Sequence, residues 1–211
     1  MKSLKTYISE KLVIFPSQVN EKLVINKNYK DEQIYTPETK EELIKVISDL
    51  VIKQKGGTDK KPVDLNDINV FNLDDLSFVF GVVNKNVKKS DYKMHAIDIS
   101  KWDVSNIKKF NDMFYDCKNL KYIGDLSEWN MTSAKHLGYM FDGCKRLKTI
   151  GDISKWNVEN VTNFNAMFRD CETLEGIDID NWESKLNNNL GPQQCRKMTN
   201  GTKLKAPKWS H

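Results

Sequence analysis

The chain has 211 residues, 39% of them apolar, which is enough for one ordinary core with appendages and excludes a large multidomain enzyme. Its net charge of +4 comes from 33 basic and 29 acidic side chains, and the only arginines are Arg146, Arg169 and Arg196. A mild excess carried by lysine argues against dedicated nucleic-acid binding, which leans on bidentate arginine contacts; a mean hydropathy of −0.61, with no apolar run near the roughly 20 residues of a spanning helix, predicts a soluble chain with no membrane span.

Residues 1–35 form an N-terminal extension rich in Lys and Asn, in which Glu-Lys-Leu-Val-Ile occurs at 10–14 and again at 21–25. A secretory signal needs a continuous apolar stretch of about 7–15 residues and a small-residue cleavage site. Neither is present, and no lipobox cysteine is available. Met1, Lys2, Tyr7, Ile8 and Glu10 together resemble the capsid-targeting leader of T-even-type phage internal head proteins, which begins Met-Lys and ends aromatic-Ile-x-Glu. That resemblance implies processing after Glu10, with Ile8 and Glu10 as the recognition residues, and a virion component or cargo protein. The alternative is an amphipathic helix with Leu4, Ile8 and Leu12 on one face, docked on a partner or on the chain's own body.

Thr36-Pro37-Glu38 offers a capping residue, a first-turn proline and early acids, which predicts an amphipathic capping helix within 36–57. Leu43, Ile44, Ile47, Leu50 and Val51 make its apolar stripe, and Gly56-Gly57 ends it. Residues 58–63 read as a polar linker. The stripe either closes the end of the domain that follows or belongs to an independent helix on that tether.

From 64 to 182 the chain repeats itself. Cys117, Cys144 and Cys171 recur at intervals of 27, and the same shift superimposes Ile99-Ser100-Lys101-Trp102 on Leu126-Ser127-Glu128-Trp129 and Ile153-Ser154-Lys155-Trp156. It also superimposes Met113-Phe114, Met140-Phe141 and Met167-Phe168. A degenerate copy precedes these three, with Asp64 on Asp98, Leu76 on Phe110 and Val79-Phe80 on Met113-Phe114, followed by an insertion expected to bulge as a loop. Asp178-Ile179-Asp180-Asn181-Trp182 opens a further copy that stops, so residues 183–211 are read as a C-terminal cap or tail. Phe110, Met113, Phe114, Cys117 and Leu120 fall on one helical stripe, which predicts a helix of two to three turns per unit, capped by Asn106, Ser133 or Asn160. Leu120-x-x-Ile123-Gly-Asp-Leu126 predicts a strand of three to five residues before it, and Leu174-x-x-Ile177-x-Ile179 another. The expected fold is α/β: a leucine-rich-repeat-like solenoid of short parallel strands and helices with a helical N-terminal extension.

The run Asp98-Ile99-Ser100-Lys101-Trp102-Asp103-Val104-Ser105-Asn106-Ile107, followed by Met113-Phe114-x-x-Cys117-x-x-Leu120, resembles the BspA-like leucine-rich-repeat surface proteins, whose bacterial surface protein repeat is about 26 residues long. The resemblance covers about 64–182. It implies a solenoid that binds other macromolecules, often at bacterial surfaces, and it brings no catalytic residues with it.

Three columns of equivalent residues invite chemistry. Cys117, Cys144 and Cys171 are expected to be a buried column of small apolar side chains; a disulfide would leave one unpaired, and zinc favours closer pairs such as Cys-x-x-Cys. Cys195 falls off that column and is expected to be a free thiol in the tail. Trp102, Trp129, Trp156 and Trp182 would be a sugar or peptide platform if they faced water, but one large ring per unit at a strand end favours internal stacking. Asp98, Asp125, Asp152 and Asp178 suit turn capping, with a shared calcium ion as the alternative.

No catalytic motif, cofactor or metal is expected. His136 takes the position of Lys109 and Asn163, as a surface residue does, and the sequence holds no Gly-rich phosphate loop, G-x-S-x-G or H-E-x-x-H. The positions that vary between units mark the candidate interaction surface: Lys101, Glu128 and Lys155 beside the tryptophans, and Tyr115, Asp142 and Arg169 on the predicted helices. The expected function is a non-enzymatic protein-interaction module with an unidentified protein partner. It is either a phage-encoded virion or cargo protein, located in the virion or host cytoplasm, or a bacterial adhesin-like protein that is cytoplasmic or exported without a secretory signal. The rival class is an enzyme with its site in residues 1–60.

Overall fold

A computed structural model describes residues 24–26, 34–87, 92–186 and 195–207. The Ile8 and Glu10 leader lies outside these residues. Strand β1 (Val24–Asn26) pairs antiparallel with β2 (Ile34–Thr36), placing Ile25 opposite Tyr35. Tyr35 also donates to the Asp67 carbonyl at 2.8 Å and accepts from the Asn69 N–H at 2.7 Å, which joins β2 to the first, degenerate repeat.

Helix α1 runs Lys40–Lys53 and is capped by Thr39, whose Oγ1 accepts from the Glu42 N–H at 3.2 Å. The sequence points to Thr36 as the cap; β2 takes that residue, and the next threonine starts the helix. At the other end Lys55 is left-handed (φ 54°), and the N–H groups of Lys55 and Gly56 bond back to Ile52 and Val51, closing the last turn as a Schellman motif. Gly56 follows at φ 79°, and a Cβ there would lie 1.8 Å from the Lys93 carbonyl oxygen. Only glycine lets the 92–96 segment cross so closely, and that segment ties itself down through the His95 and Ala96 N–H groups, both bonded to the Gly56 carbonyl.

Leu43, Val46, Ile47 and Val51 are buried on one face of α1 and belong to the same apolar core as the repeats. The helix packs on α2 (Val79–Val87), which starts in the degenerate repeat and runs into the first part of the insertion expected to be a loop. The predicted 58–63 linker is also folded: Thr58 and Lys61 exchange main-chain bonds, and β3 (Val63–Asp64) pairs in parallel with β4 (Ile97–Asp98).

The repeats correct the expected helices. Over 110–117 and its equivalents the chain makes consecutive tight turns, with two left-handed residues four apart in each unit: Asp112 and Asp116, Tyr139 and Gly143, Ala166 and Asp170. A left-handed residue every fourth position prevents an α-helix from completing a turn, whatever its apolar spacing. The N–H groups divide between two networks instead. Met113, Tyr115 and Cys117 bond back three residues, to Phe110, Asp112 and Phe114. Phe110, Asp112, Phe114 and Asp116 bond forward, to the His136, Gly138, Met140 and Asp142 carbonyls of the next unit at 2.9–3.1 Å. A non-glycine left-handed residue costs about 1–2 kcal/mol, and each forward bond contributes about 0.5–1.5 kcal/mol net, so four bonds offset two strained residues. Asn106 and Asn160, with no helix to cap, donate from Nδ2 to the Phe71 and Thr132 carbonyls of the preceding unit.

The expected strands shrink likewise. Parallel bridges run Asp75 to Lys109 to His136 to Asn163, and Ala96 to Tyr122, while Leu120–Leu126 and Leu174–Ile179 are otherwise irregular. Short 3-10 turns lie at Asp180–Lys185, just beyond the second of these segments, and at Ile153–Lys155, which begins at the equivalent of Leu126 in the next unit. The last rung is not where the spacing places it: Ala166, Phe168 and Asp170 donate to the carbonyls of Arg196, Met198 and Asn200, so part of the presumed tail continues the ladder.

Candidate interaction surface

The three columns that invited chemistry are turned inward or saturated. Each tryptophan is buried, and its indole N–H donates to a carbonyl of the preceding unit: Trp102 to Leu65 at 2.9 Å, Trp129 to Ile99 at 3.2 Å, Trp156 to Leu126 at 2.9 Å and Trp182 to Ile153 at 3.2 Å. Trp129, Trp156 and Trp182 stack with centroids 6.4 and 6.3 Å apart, leaving no face for a sugar or peptide. Beside them runs a phenylalanine column, Phe80, Phe114, Phe141 and Phe168, stacked at 4.7, 5.3 and 5.7 Å.

The thiols of Cys117, Cys144 and Cys171 are buried and reduced, and donate to the carbonyls of Phe80, Phe114 and Phe141 at 3.5, 3.2 and 3.0 Å. Burial pushes Cys144 well up and Cys171 up to about 12. Cys195 departs from the reading of it as a free tail thiol: it is reduced but buried, 4% exposed, and desolvation raises it to about 11.

The aspartate column caps turns. The Oδ1 atoms of Asp98, Asp125, Asp152 and Asp178 accept from the N–H two residues on, in Ser100, Ser127, Ser154 and Asp180. Burial pushes the Asp98 carboxyl up, but hydrogen bonds from Ser100 and Asn66 outweigh it and hold the group below the usual carboxylate range. The bonds from Ser154 lower Asp152 in the same way. These carboxylates are engaged by their own turns.

Several side chains of the candidate surface are not used by the frame. Lys101, Glu128 and Lys155, beside Trp102, Trp129 and Trp156, are all exposed, and they alternate in charge from unit to unit. Tyr115 is exposed, at 41%. Asp142, its equivalent in the next unit, is 2% exposed, which corrects its place on the surface. It is held there by Arg169 of the following unit, whose Nε donates to Oδ1 at 2.9 Å while Nη2 meets Oδ2. The guanidinium also lies 5.3 Å above the Tyr139 ring, so Arg169 is half-buried and spent on Asp142. Asp112, pushed up by burial and by the nearby Asp142 charge, borders the same cluster. The sequence reading missed two exposed aromatics in the degenerate unit, Phe71 and Phe78, at 44% and 46%. Phe78 is left-handed (φ 62°) and occupies the position of Asp112 and Tyr139, a correspondence visible once Val79-Phe80 is set on Met113-Phe114. His136 sits in the bridge column between Lys109 and Asn163, where its main chain carries the pairing.

The repeated residues of the chain are thus consumed by an internal hydrogen-bonded frame, while Lys101, Glu128, Lys155 and Tyr115, which vary between units, are left outside it. Residues 74–203 match the family described as Mycoplasma protein of unknown function, DUF285, and since that is more than half of the chain, the chain belongs to this family. No curated protein and no solved structure matches it. The family match starts in the degenerate unit and ends beyond Asn200, taking in the late rung that the 27-residue spacing leaves in the tail.

Proposed function

We propose that this chain is a non-enzymatic protein-interaction module, a short BspA-like, leucine-rich-repeat-type solenoid that presents variable side chains from a repeated frame. The observation that carries this reading is the contrast within one repeat position: Trp102, Trp129 and Trp156 are buried and each bonded to the preceding unit, while their neighbours Lys101, Glu128 and Lys155 are exposed and differ in charge. A column with a purely structural role has no need of that alternation, whereas a recognition surface uses it to discriminate partners.

The family description names Mycoplasma, which supports a bacterial, adhesin-like setting. The phage virion or cargo setting draws its support from the leader pattern at Met1, Lys2, Tyr7, Ile8 and Glu10. Intact-mass analysis of native protein separates the two: a mature chain beginning at Lys11 favours prohead processing, and a retained leader favours the bacterial setting. The function itself is tested by capture from cell lysate or virions with wild type and with a Lys101→Glu, Lys155→Glu variant of equal melting temperature, each with and without chelator. Loss of capture in the variant alone supports the reading. Loss on chelation, with the variant binding normally, replaces it with a metal-dependent one centred on Asp98, Asp125 and Asp152.

A further inference from the structure

Among the described residues the ladder ends with its donors open. In the last rung Lys197, Thr199 and Gly201 take the places of Ala166, Phe168 and Asp170, with the same left-handed backbone at Lys197 (φ 58°) and Gly201 (φ 71°). The backward bonds of this rung are made: Met198 to Cys195 at 3.2 Å, Asn200 to Lys197 at 3.3 Å and Thr202 to Thr199 at 3.3 Å. The forward bonds are not, and the N–H groups of Lys197, Thr199 and Gly201 have no acceptor among the described residues. In the preceding unit the same three positions bond forward at 2.9, 2.9 and 2.8 Å. The core does not ask for another repeat, because the phenylalanine column of Phe80, Phe114, Phe141 and Phe168 gives way to the half-buried polar side chain of Thr199. The side chains terminate while the main chain does not.

The surrounding charge selects what this edge can take up. Residues 195–207 contain Arg196, Lys197, Lys203 and Lys205 and no acidic residue; of the preceding unit, Glu175 pairs with Lys203 and the Asp170 carboxylate lies against Gly201, which leaves Arg196, Lys197 and Lys205 in excess over that one carboxylate. We propose that the edge binds an extended acidic segment of a partner protein, whose main-chain carbonyls accept from Lys197, Thr199 and Gly201 and whose carboxylates meet Arg196, Lys197 and Lys205. Donors at every second residue match the period at which an extended strand presents carbonyls along one edge.

A second copy of the chain is a poor occupant. Its opposite end is closed, because the Phe78 carbonyl accepts from Val82 at 2.9 Å inside α2, against which α1 packs. Two copies meeting through their last rungs would set donors against donors and lysines against lysines. This end site is separate from the Lys101, Glu128 and Lys155 flank, and either can fail without the other.

The test uses the full chain, with fluorescence anisotropy and amide hydrogen exchange against an alternating glutamate–threonine octapeptide, an alternating lysine–threonine octapeptide and oligo-dT. The glutamate peptide should bind and slow exchange of the Lys197, Thr199 and Gly201 amides roughly tenfold, the lysine peptide should not, and an Arg196→Glu, Lys197→Glu variant should weaken binding about tenfold or more. Thr199→Pro, which deletes the central donor, should weaken it comparably; if that variant unfolds, the charge-reversal variant and the exchange pattern decide. The proposal is overturned by no binding of the glutamate peptide, by equal binding of the lysine peptide, by protection elsewhere in the chain, or by oligo-dT binding at the same amides as tightly as the peptide. Concentration-dependent dimerisation that protects these amides without peptide would also overturn it.

Discussion

The indole N–H of Trp156 donates to the main-chain carbonyl of Leu126 at 2.9 Å, thirty residues back along the chain, and the same bond recurs from Trp102, Trp129 and Trp182. This bond fixes the spacing of neighbouring units from inside the core. Trp156→Phe keeps a ring in the stack but removes one of the two donors to the buried Leu126 carbonyl, which keeps the Trp129 main-chain N–H at 3.1 Å, and should cost about 0.5–1.5 kcal/mol. A melting temperature unchanged from wild type would show that the bond is dispensable.

Phe141 lies between Phe114 at 5.3 Å and Phe168 at 5.7 Å, so Phe141→Ala removes contacts to two units at once. The expected loss is roughly 3–5 kcal/mol, a large part of a typical domain's stability, and it should appear as one shifted transition. Circular dichroism and tryptophan fluorescence should therefore move together. Separate transitions by the two probes would mean that the units melt independently.

How far the sequence reveals this fold depends on which property is asked of it. The columns are readable, because a 27-residue shift brings tryptophan onto tryptophan and cysteine onto cysteine, and side chains at equivalent positions of a repeat face the same way. The helices are misread because apolar spacing reports which side chains share a face, and the turns of 110–117 produce that face with left-handed residues at Asp112 and Asp116. The Asn-Asp, Gly-Tyr and Asn-Ala pairs at 111–112, 138–139 and 165–166 carry a trace of this: asparagine or glycine, which a helix interior does not favour, stands just before each left-handed residue. Asp142 is misplaced because its partner Arg169 belongs to the next unit; opposite charges exactly one repeat apart were the available signal. Cys195 is misplaced because the last rung follows the third unit at 31 residues rather than 27, as the bond from Ala166 to Arg196 shows against that from Tyr139 to Asn165.

All four cysteines should resist an impermeant thiol reagent on the folded protein at about pH 8, Cys195 included, and react together in denaturant. The raised pKa values of Cys144, Cys171 and Cys195 also set an alkaline limit. Each thiol ionises in the unfolded chain near 9 but in the fold only at about 12 for Cys171 and about 11 for Cys195. The unfolded state therefore loses protons first, and the contribution to stability, fully present below about pH 9, falls as pH rises toward 11–12. Denaturant titrations at several pH values measure this. Selective labelling of Cys195 in the native state would show that the last rung is open.

Arg169 neutralises a carboxylate that has almost no access to water, so Arg169→Met strands a buried charge. The cost should be about 1–3 kcal/mol, the lower part of that range reflecting the partial exposure of the arginine. Adding Asp142→Asn should recover much of it, because the stranded charge is then gone. A double-mutant cycle tests this, and strictly additive single effects would mean the two side chains do not interact.

The most direct measurement is a substitution scan across residues 98–177, scored in parallel for folding and for binding of the captured partner. Frame positions such as Trp129, Phe141, Cys144 and Asp125 should lower both scores together. Substitutions at Lys101, Glu128, Lys155 and Tyr115 should lower binding and leave folding at wild-type level. Binding indifferent to all four of these exposed residues, in variants that fold normally, would contradict the account.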